Sequence, residues 1–269
     1  MSSPLLRIEN LGIEFGGLKA LDSFCLEMNK GDLFGLIGPN GAGKTTVFNL
    51  LTGVYVPSSG QIYFNGRSIA GLSPHLISKM GLARTFQNIR LFRSMSALDN
   101  VLLGCHQHIC YGLRATILKS SSYIQCEQTI KTKALELLQA LHLEHKKNEM
   151  AANLPYGDQR RLEIARALAT QPSLLLLDEP GAGMNASETI DLMNIIQNLR
   201  KYFNLTILLI EHDMKLVMGL CEQIVVLNYG VTLAQARPEA IQQNPKVIQA
   251  YLGVDYDIEN PSENHSEIP

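Results

Sequence analysis

The sequence predicts an α/β fold in which helices alternate with the strands of a parallel sheet. Two continuous apolar runs, SLLLLDEP at 173–180 and LTILLIEHD at 205–213, are separated by a helical pattern from about Ser187 to Tyr202. Continuous apolar runs are typical of strands that are covered on both faces, and parallel neighbours require a crossover connection such as this helix. The functional groups of such sheets lie just beyond the carboxyl ends of the strands.

The N-terminal part predicts short strands joined by glycine-rich turns. Residues 5 to 70 contain the β-type runs LLRIEN, LFGLIG and QIYFNG, separated by segments that contain glycine. A helix is expected to begin at the glycine-lysine cluster near Gly43 and to run to about Thr52, because Gly53 follows as a helix stop. The run LFGLIG therefore leads through a glycine-rich turn into a helix.

The middle of the chain predicts helices only. From about residue 97 to residue 150 the strand patterns disappear. The segment KTKALELLQALHLEHKK at 131–147 has the 3.6-residue period of an amphipathic helix. Its apolar stripe comprises Ala134, Leu137, Leu138 and Leu141.

The composition is that of an ordinary folded protein. The 269 residues are 46% hydrophobic and 18% charged, which allows one large domain or a core domain with an insertion. No apolar run approaches the roughly 20 residues that cross a bilayer, and the N-terminus does not resemble a signal peptide. We therefore expect a cytosolic protein, or a peripheral one on the cytosolic side of a membrane. The net charge is −2 and the body without the last sixteen residues is close to balance, so nothing indicates the strongly basic face of a nucleic-acid binder. The last sixteen residues, 254–269, carry five acids and are expected to form a disordered acidic tail.

The cysteines predict no disulfide framework. They are five in number and form no C-x-x-C pair, which favours a reducing compartment. The cluster GCHQHIC holds Cys105, His106, His108 and Cys110, and on a helix His106 and Cys110 would share a face. Two readings stay open, a metal site or a helix that carries these residues without one. The absence of a second half-site at a familiar spacing favours the helix.

A phosphate-binding loop is the most specific motif of the chain. The stretch GLIGPNGAGKTT contains G-x-x-x-x-G-K-T, preceded by a predicted strand and followed by a predicted helix. The glycines let backbone N–H groups converge on phosphates, and the helix N-terminus adds its dipole. The lysine can reach the β- and γ-phosphates, and the hydroxyl that follows can bind Mg²⁺. The alternative is a glycine-rich turn with a chance lysine. The candidate nucleotide-binding residues here are Gly38, Pro39, Asn40, Gly41, Ala42, Gly43, Lys44, Thr45 and Thr46.

Three further positions complete the predicted site. Asp178 ends an apolar strand and would hold Mg²⁺, and Glu179 could align or deprotonate an attacking water. His212, at the end of the next strand, could hydrogen-bond the γ-phosphate and hold the water in line. Gln87, in ARTFQNIRLF, could touch Mg²⁺ or water when ATP is bound. Alone, two acids after a strand could equally begin a solvated loop, a single histidine at a strand end would more often be structural, and Gln87 would be uninformative.

In chain order these residues resemble the ATP-binding subunit of ABC transporters. Phe15 resembles the aromatic residue that stacks on adenine, residues 38–45 the Walker A loop and Gln87 the Q-loop. Further matches are the signature motif at 154–161, the Walker B strand at 174–179, the D-loop at 182–185 and the switch histidine at His212. The resemblance implies a P-loop NTPase with a RecA-like core, an antiparallel β subdomain and an inserted helical subdomain at about 88–170. It also implies one ABC ATPase domain over residues 5–253 that binds ATP and Mg²⁺ (Thr45, Gln87 and Asp178) and hydrolyses ATP.

A narrower resemblance concerns the cargo. The stretches YGDQRRLEIARAL, EPGAGMN, LLIEHDMKLVM and NPKVIQAYLG are similar to the larger ATPase of branched-chain amino-acid importers, and urea-type importers share parts of the pattern. The resemblance implies a head-to-tail dimer, a heterodimer or a homodimer, with a second ATPase subunit. It also implies two transmembrane permease subunits, an indirect link to a periplasmic binding protein, and a place on the cytoplasmic face of the inner membrane. The alternatives are a soluble regulatory or repair ATPase and a degenerate partner that does not hydrolyse ATP.

The signature motif departs from the family pattern Leu-Ser-Gly-Gly-Gln. It reads Leu154, Pro155, Tyr156, Gly157, Asp158, and the resemblance places these residues at the γ-phosphate of the partner's nucleotide. Pro155 lacks both the hydroxyl and the N–H of serine, which removes one anion donor worth about 1.5–3 kcal/mol, but proline suits a first helical position. Asp158 could repel phosphate if it points inward. The D-loop ends in Asn185 instead of aspartate, which fits a dimer with two unlike sites. We expect a competent but weakened signature.

Overall fold

The computed structural model describes residues 3–109 and 111–252. Its strands are β1 (Leu6–Phe15), β2 (Leu18–Met28), β3 (Leu33–Ile37), β4 (Ser59–Phe64), β5 (Arg67–Ser68), β6 (Leu82–Arg84), β7 (Leu174–Asp178), β8 (Thr206–Ile210), β9 (Gln223–Asn228) and β10 (Val231–Ala236). Its helices are α1 (Lys44–Leu51), α2 (Pro74–Lys79), α3 (Ala97–Cys105), α4 (Leu113–Ile117), α5 (Ser121–Ala140), α6 (Tyr156–Leu168), α7 (Ala186–Phe203), α8 (Met214–Leu220), α9 (Pro238–Gln242) and α10 (Pro245–Leu252).

The strands form two sheets. A six-stranded sheet has the order β10-β9-β3-β8-β7-β6, and all of its pairs are parallel except that of β10 with β9. A four-stranded antiparallel sheet has the order β2-β1-β4-β5. The predicted α/β fold with a parallel core sheet and an antiparallel β part is therefore confirmed.

The central strands are buried on both faces, as their continuous apolar runs predicted. In β7, Leu174 and Leu176 belong to the apolar core that faces the antiparallel sheet, whereas Leu175 and Leu177 belong to the core on the helical side. Strand β8 alternates in the same way. Because β7 and β8 are parallel and Asp178 lies opposite Ile210, the groups that follow both strands meet at one edge.

The helices between β6 and β7 pack on one another. The predicted stripe of α5 is buried, with Ala134, Leu137, Leu138 and Leu141 each at most 4% exposed. However, α5 ends at Ala140, and the rest of the predicted segment forms a loop with a short 3-10 helix, Glu144–Lys146. Helix α3 lies close to α6 because Gly104 has no side chain, and a Cβ there would come within 2.5 Å of the Arg166 carbonyl oxygen.

Several other predictions can be compared with the described residues. Helices α1 and α7 begin and end within about one residue of the predicted bounds. No helix of the described part has the length and apolar character that a membrane crossing requires. In the same part no group of His, Cys, Asp and Glu side chains has the geometry of a metal site, and Cys110 lies outside it. The acidic tail at 254–269 also lies outside the described residues.

Candidate functional site

The phosphate loop, residues 38–45, connects β3 to α1. Gly38, Gly41 and Gly43 have φ angles of 151°, 79° and 103°, in the region that favours glycine. A Cβ on Gly38 would lie 2.1 Å from the carbonyl oxygen of Leu227 on β9, and one on Gly43 would lie 2.8 Å from that of Ala20. The glycines are therefore required both by the backbone conformation and by the close approach of neighbouring chain.

The Lys44 side chain lies inside this loop. Its ammonium group donates to the carbonyl oxygens of Gly38 at 2.6 Å and Pro39 at 2.9 Å, and the residue is only 6% exposed. Burial lowers the pKa of Lys44, while the carboxylates of Glu179 and Asp178 oppose that shift. The cation is thus held between the loop and the two acids that the sequence assigns to the same site.

Asp178 ends β7 and is bound by a residue that the sequence analysis did not single out. The Arg84 guanidinium donates to Asp178 Oδ2 at 2.7 Å and to Asn49 Oδ1 at 2.7 Å, and both members of the ion pair are about 95% buried. Arg84 ends β6, the parallel neighbour of β7. The sequence signal for Arg84 was its position at the end of a strand, three residues before Gln87. One carboxylate oxygen of Asp178 remains for another partner.

Glu179 is the point at which the predicted catalytic residues meet. Its Oε2 accepts a hydrogen bond from Gln87 Nε2 at 2.8 Å, and its Oε1 lies 2.8 Å from His212 Nε2. Its backbone has a φ of 48°, which is rare outside glycine, and its N–H donates to the Ile210 carbonyl at 2.9 Å. The three residues come from different strand ends and converge on one carboxylate.

These groups line one cleft. It has a volume of about 790 Å³ and is formed by Ala20, residues 40–46, Gln87, Glu179 and His212. The structure therefore brings together the phosphate loop and all three predicted catalytic residues. Phe15 does not line this cleft; it is 45% exposed and makes an edge-to-face contact with Tyr55, with ring centroids 5.2 Å apart.

Glu211 is a second residue that the sequence analysis missed. It is 4% exposed, and its carboxylate accepts from the backbone N–H of Gly181 at 2.6 Å and of His212 at 3.2 Å. Burial raises the pKa of Glu211, the backbone donors lower it, and the Glu179 charge adds to the increase. The residue ties the loop after β7 to the loop after β8. Its position directly before His212 was the only sequence signal.

The signature segment, residues 154–158, lies elsewhere. None of its residues is among the described residues that line the cleft. Helix α6 begins at Tyr156, so Pro155 is the N-cap residue and not the first helical residue that the sequence predicted. Because proline has no side-chain acceptor, this N-cap makes no side-chain hydrogen bond. Tyr156 packs instead on the D-loop, since a Cβ on Gly183 would lie 3.1 Å from its ring.

The two charge-related departures have local explanations. Asp158 pairs with Lys146 at 2.5 Å and lies 3.9 Å from Arg161, so its charge is balanced within the chain. Asn185 is the N-cap of α7 and forms a capping box, in which Asn185 accepts from the Glu188 N–H and Glu188 accepts from the Asn185 N–H, both at 3.0 Å. Asparagine and aspartate cap helices about equally well, so this substitution costs the fold little.

The comparisons with known proteins agree with this architecture. Residues 21–182 match the family model of ABC transporters, and residues 231–257 match a model of branched-chain amino-acid ATP-binding cassette transporters. The Escherichia coli K12 high-affinity branched-chain amino acid transport ATP-binding protein LivG is 49% identical over 253 residues, which are 94% of this chain and 99% of LivG. The corresponding Pseudomonas aeruginosa protein, BraF, is 47% identical over the same shares.

Solved structures share the fold. An ATP-binding cassette of an ABC transporter, crystallised in its ADP conformation, superposes with a TM-score of 0.82 and 32% sequence identity. The match covers 94% of this chain and all of that one. The family model covers more than half of the chain, and the similarity of the relatives extends over nearly all of it. The chain therefore belongs to the ABC transporter family and is a nucleotide-binding ATPase of the ABC type.

Proposed function

We propose that this chain is the ATP-hydrolysing subunit of a membrane importer for the branched-chain amino acids leucine, isoleucine and valine. The observation that carries the proposal is similarity over nearly the whole chain to LivG and BraF, joined to the separate match of residues 231–257. The C-terminal match adds weight because it lies outside the region that the general ABC model covers. An importer for another cargo, such as urea, is the main alternative.

The cleft fits the triphosphate of ATP with Mg²⁺. The positive φ angles of the loop glycines suit a backbone whose N–H groups converge on phosphates, and Lys44 supplies the buried cation. The candidate ligands of Mg²⁺ are the Thr45 hydroxyl, the free carboxylate oxygen of Asp178 and the side-chain oxygen of Gln87, whose nitrogen faces Glu179. These are the hard oxygen donors that Mg²⁺ prefers. When bound, the metal ion would neutralise charge that develops on the β- and γ-phosphates.

Glu179 is proposed to activate the attacking water. Its carboxylate lies between Gln87 and His212, so both side chains fix the direction in which it accepts a proton. His212 is 42% exposed at the mouth of the cleft, where its Nε2–H can donate either to Glu179 or to the γ-phosphate. The phosphoryl group then passes to water in line with the leaving oxygen, and Lys44 stabilises the negative charge.

The signature segment is proposed to act on a partner's nucleotide. Its separation from the cleft supports a head-to-tail dimer with a second ATPase subunit, in which the N-terminus of α6 faces the γ-phosphate across the interface. The Lys146 pair keeps the Asp158 charge away from that phosphate. Phe15 is exposed, and we propose that its ring stacks on adenine.

The proposed assembly includes two permease subunits and, through them, a periplasmic binding protein. A groove of about 450 Å³ between β6, α3 and α6 is lined by Arg84, Phe86, Phe92, Leu103, Glu163 and Arg166. We propose it as the docking site of a permease segment, which would place this chain on the cytoplasmic face of the inner membrane. We further propose one ABC ATPase domain over 5–253, with the helical subdomain at about 88–170 carrying motion to the permease.

Transport in cells tests the proposal. Cells whose only copy carries Lys44→Ala are expected to lose saturable uptake of labelled leucine, isoleucine and valine, because the phosphate contact is removed while the loop glycines remain. Lys201→Ala, an exposed lysine on α7, is the matched control and should transport normally. Unchanged uptake in Lys44→Ala cells would contradict the importer role. Loss of urea uptake alone would assign a different cargo.

A further inference from the structure

The loop that carries Gln87 is bonded to helix α6 by a buried ion pair. Arg160 and Glu163 lie one turn apart on α6, their side chains are 0% and 2% exposed, and Arg160 Nη1 is 2.9 Å from Glu163 Oε2. Arg160 lies within the signature match at 154–161, but neither residue was assigned a role of its own. A buried ion pair contributes little net stability when it is compared with apolar packing, so its presence calls for another explanation.

Both members of the pair bind backbone groups of residues 86–90, the Q-loop segment. Arg160 donates to the carbonyl oxygens of Phe86 at 2.6 Å and of Gln87 at 2.8 Å. Glu163 Oε1 accepts from the N–H of Arg90 at 3.1 Å and, at 3.4 Å, from that of Phe86. On the Q-loop side, these contacts involve backbone atoms only. They therefore fix the path of the segment independently of its side chains.

The same pair also reaches the start of the signature helix. Arg160 Nη2 lies 3.3 Å from the Tyr156 hydroxyl, and Tyr156 is the first residue of α6. At the other end of the segment, the Gln87 side chain donates to Glu179. A continuous chain of contacts thus runs from the catalytic carboxylate through Gln87 and Arg160 to the N-terminus of α6.

We infer that Arg160 and Glu163 are positioning residues that make the Q-loop segment and the signature helix move as one body. A displacement of Gln87 in the cleft pulls on the carbonyls that Arg160 holds, and the rigid helix carries that displacement to the signature segment. Only a planar guanidinium can span both carbonyls and the carboxylate at once, because its N–H donors are fixed in a fork. The inference rests on the proposed contact of Gln87 with Glu179 in catalysis.

A double-mutant cycle in the purified full-length chain tests this coupling. The kcat of Mg-ATP hydrolysis is measured for the native chain, Gln87→Ala, Arg160→Lys and the double variant. Each single change is expected to lower kcat by about 2- to 30-fold. If Arg160 acts through Gln87, the double variant should be no slower than the worse single variant, within about 2-fold.

Arg161→Lys is the matched control. It has the same chemistry and lies on the same helix, but its guanidinium faces Asp158 and Asp191 at 3.9 Å and none of its described contacts is with the Q-loop segment. The fold-decreases in kcat caused by Arg161→Lys and by Gln87→Ala should therefore multiply in the double variant. If the effects of Arg160→Lys and Gln87→Ala multiply as well, or if Gln87→Ala alone leaves kcat unchanged, the inferred coupling is wrong. Cargo specificity does not enter this assay, so the uptake experiment can fail independently.

A second variant and a conformational measurement distinguish a loss of coupling from a loss of the folded state. Glu163→Gln keeps an oxygen for the backbone N–H groups and replaces Arg160→Lys in the cycle if that variant melts early. The chain has no tryptophan, so Phe92→Trp supplies a single tryptophan next to α6, where the Phe92 ring lies 5.5 Å from the Arg166 guanidinium, and excitation at its red edge avoids the tyrosines. An ATP-induced change of its fluorescence should be lost with Arg160→Lys. A change that persists at full amplitude would overturn the inference.

Discussion

The nucleotide cleft and the signature end of α6 differ in how complete they are. At the cleft, Glu179 is already held by Gln87 and His212 at 2.8 Å each, and Lys44 is buried in the loop. At the signature end, Pro155 offers no side-chain bond and Tyr156 is 45% exposed. One region is assembled by the fold of a single chain, whereas the other exposes groups that the proposed dimer would cover. Changes at the cleft should therefore act within the single chain, whereas the effect of changes at the signature end on turnover should depend on the proposed assembly.

The largest effect is expected for Glu179→Gln. Loss of the carboxylate that orients the water should lower kcat by about 10²- to 10⁴-fold while ATP still binds, because the phosphate loop is untouched. Turnover and bound nucleotide are measured together, and a closed dimer that retains ATP should be visible by gel filtration. Glu239→Gln, an exposed carboxylate on α9, serves as the control. Turnover at the native rate would exclude Glu179 as the activating group.

Removal of the cation that faces Asp178 should act on stability. Arg84→Met leaves a buried carboxylate without its ion pair, which is expected to cost about 3–5 kcal/mol of unfolding free energy. Chemical denaturation measures this cost. Arg7→Met, whose partner Glu9 is 45% exposed, should cost less than about 1 kcal/mol. Equal costs for the two variants would show that the Arg84 pair does not depend on burial.

Pro155→Ser separates the two regions most directly. Serine restores an N-cap acceptor to α6, which should raise the unfolding free energy of the isolated chain by about 1 kcal/mol. It also restores a donor to the partner's phosphate, so turnover of the assembled transporter should rise by about 10-fold. Pro155→Ala, which has no hydroxyl, should show neither gain. Higher stability without higher turnover would remove this position from the γ-phosphate.

A pH-dependent effect on stability is expected at Glu211. Burial raises its pKa in the folded chain above that in the unfolded chain, so the folded state binds the proton more tightly. Its stabilising contribution is therefore full below the unfolded pKa near 4.5 and is lost as the pH rises through the higher folded pKa. Because glutamine resembles the protonated acid, the native chain should lose unfolding free energy relative to Glu211→Gln as the pH rises over that range. A difference independent of pH would contradict the assignment.

The smallest effect is expected at Asn185. Because asparagine and aspartate accept equally well at an N-cap, Asn185→Asp should change the unfolding free energy by less than about 0.5 kcal/mol. Asn185→Ala removes the cap and should cost about 1 kcal/mol. Thermal denaturation of the two variants measures the contrast. A large loss with aspartate would mean that the added charge, and not the cap, dominates at this position.

The sequence was informative where local chemistry determines structure. The phosphate loop and the apolar runs of β7 and β8 were located because glycine geometry and continuous burial leave a clear pattern. The ion pairs were not, because Arg84 and Arg160 lie 94 and 3 residues from their acidic partners and each looks like an ordinary surface arginine. The Arg84 pair depends on which strands become neighbours, whereas the Arg160 pair, three residues apart on one helix, depends on which face of α6 is buried. The end of α5 was missed because its periodicity continues past Ala140 into a loop that buries Leu141 and Leu143.

The strand order also determines when the sheet around the phosphate loop can be completed during synthesis. Strand β3, which leads into the phosphate loop, is hydrogen-bonded to β8 on one side and β9 on the other. Both are made long after it, and at about 5–20 residues per second the ribosome needs roughly ten to thirty seconds to reach them. Until then the loop exists without its neighbours and His212 is not yet translated. For a long interval the nascent chain therefore has no complete ATP site, and binding of ATP cannot stabilise it.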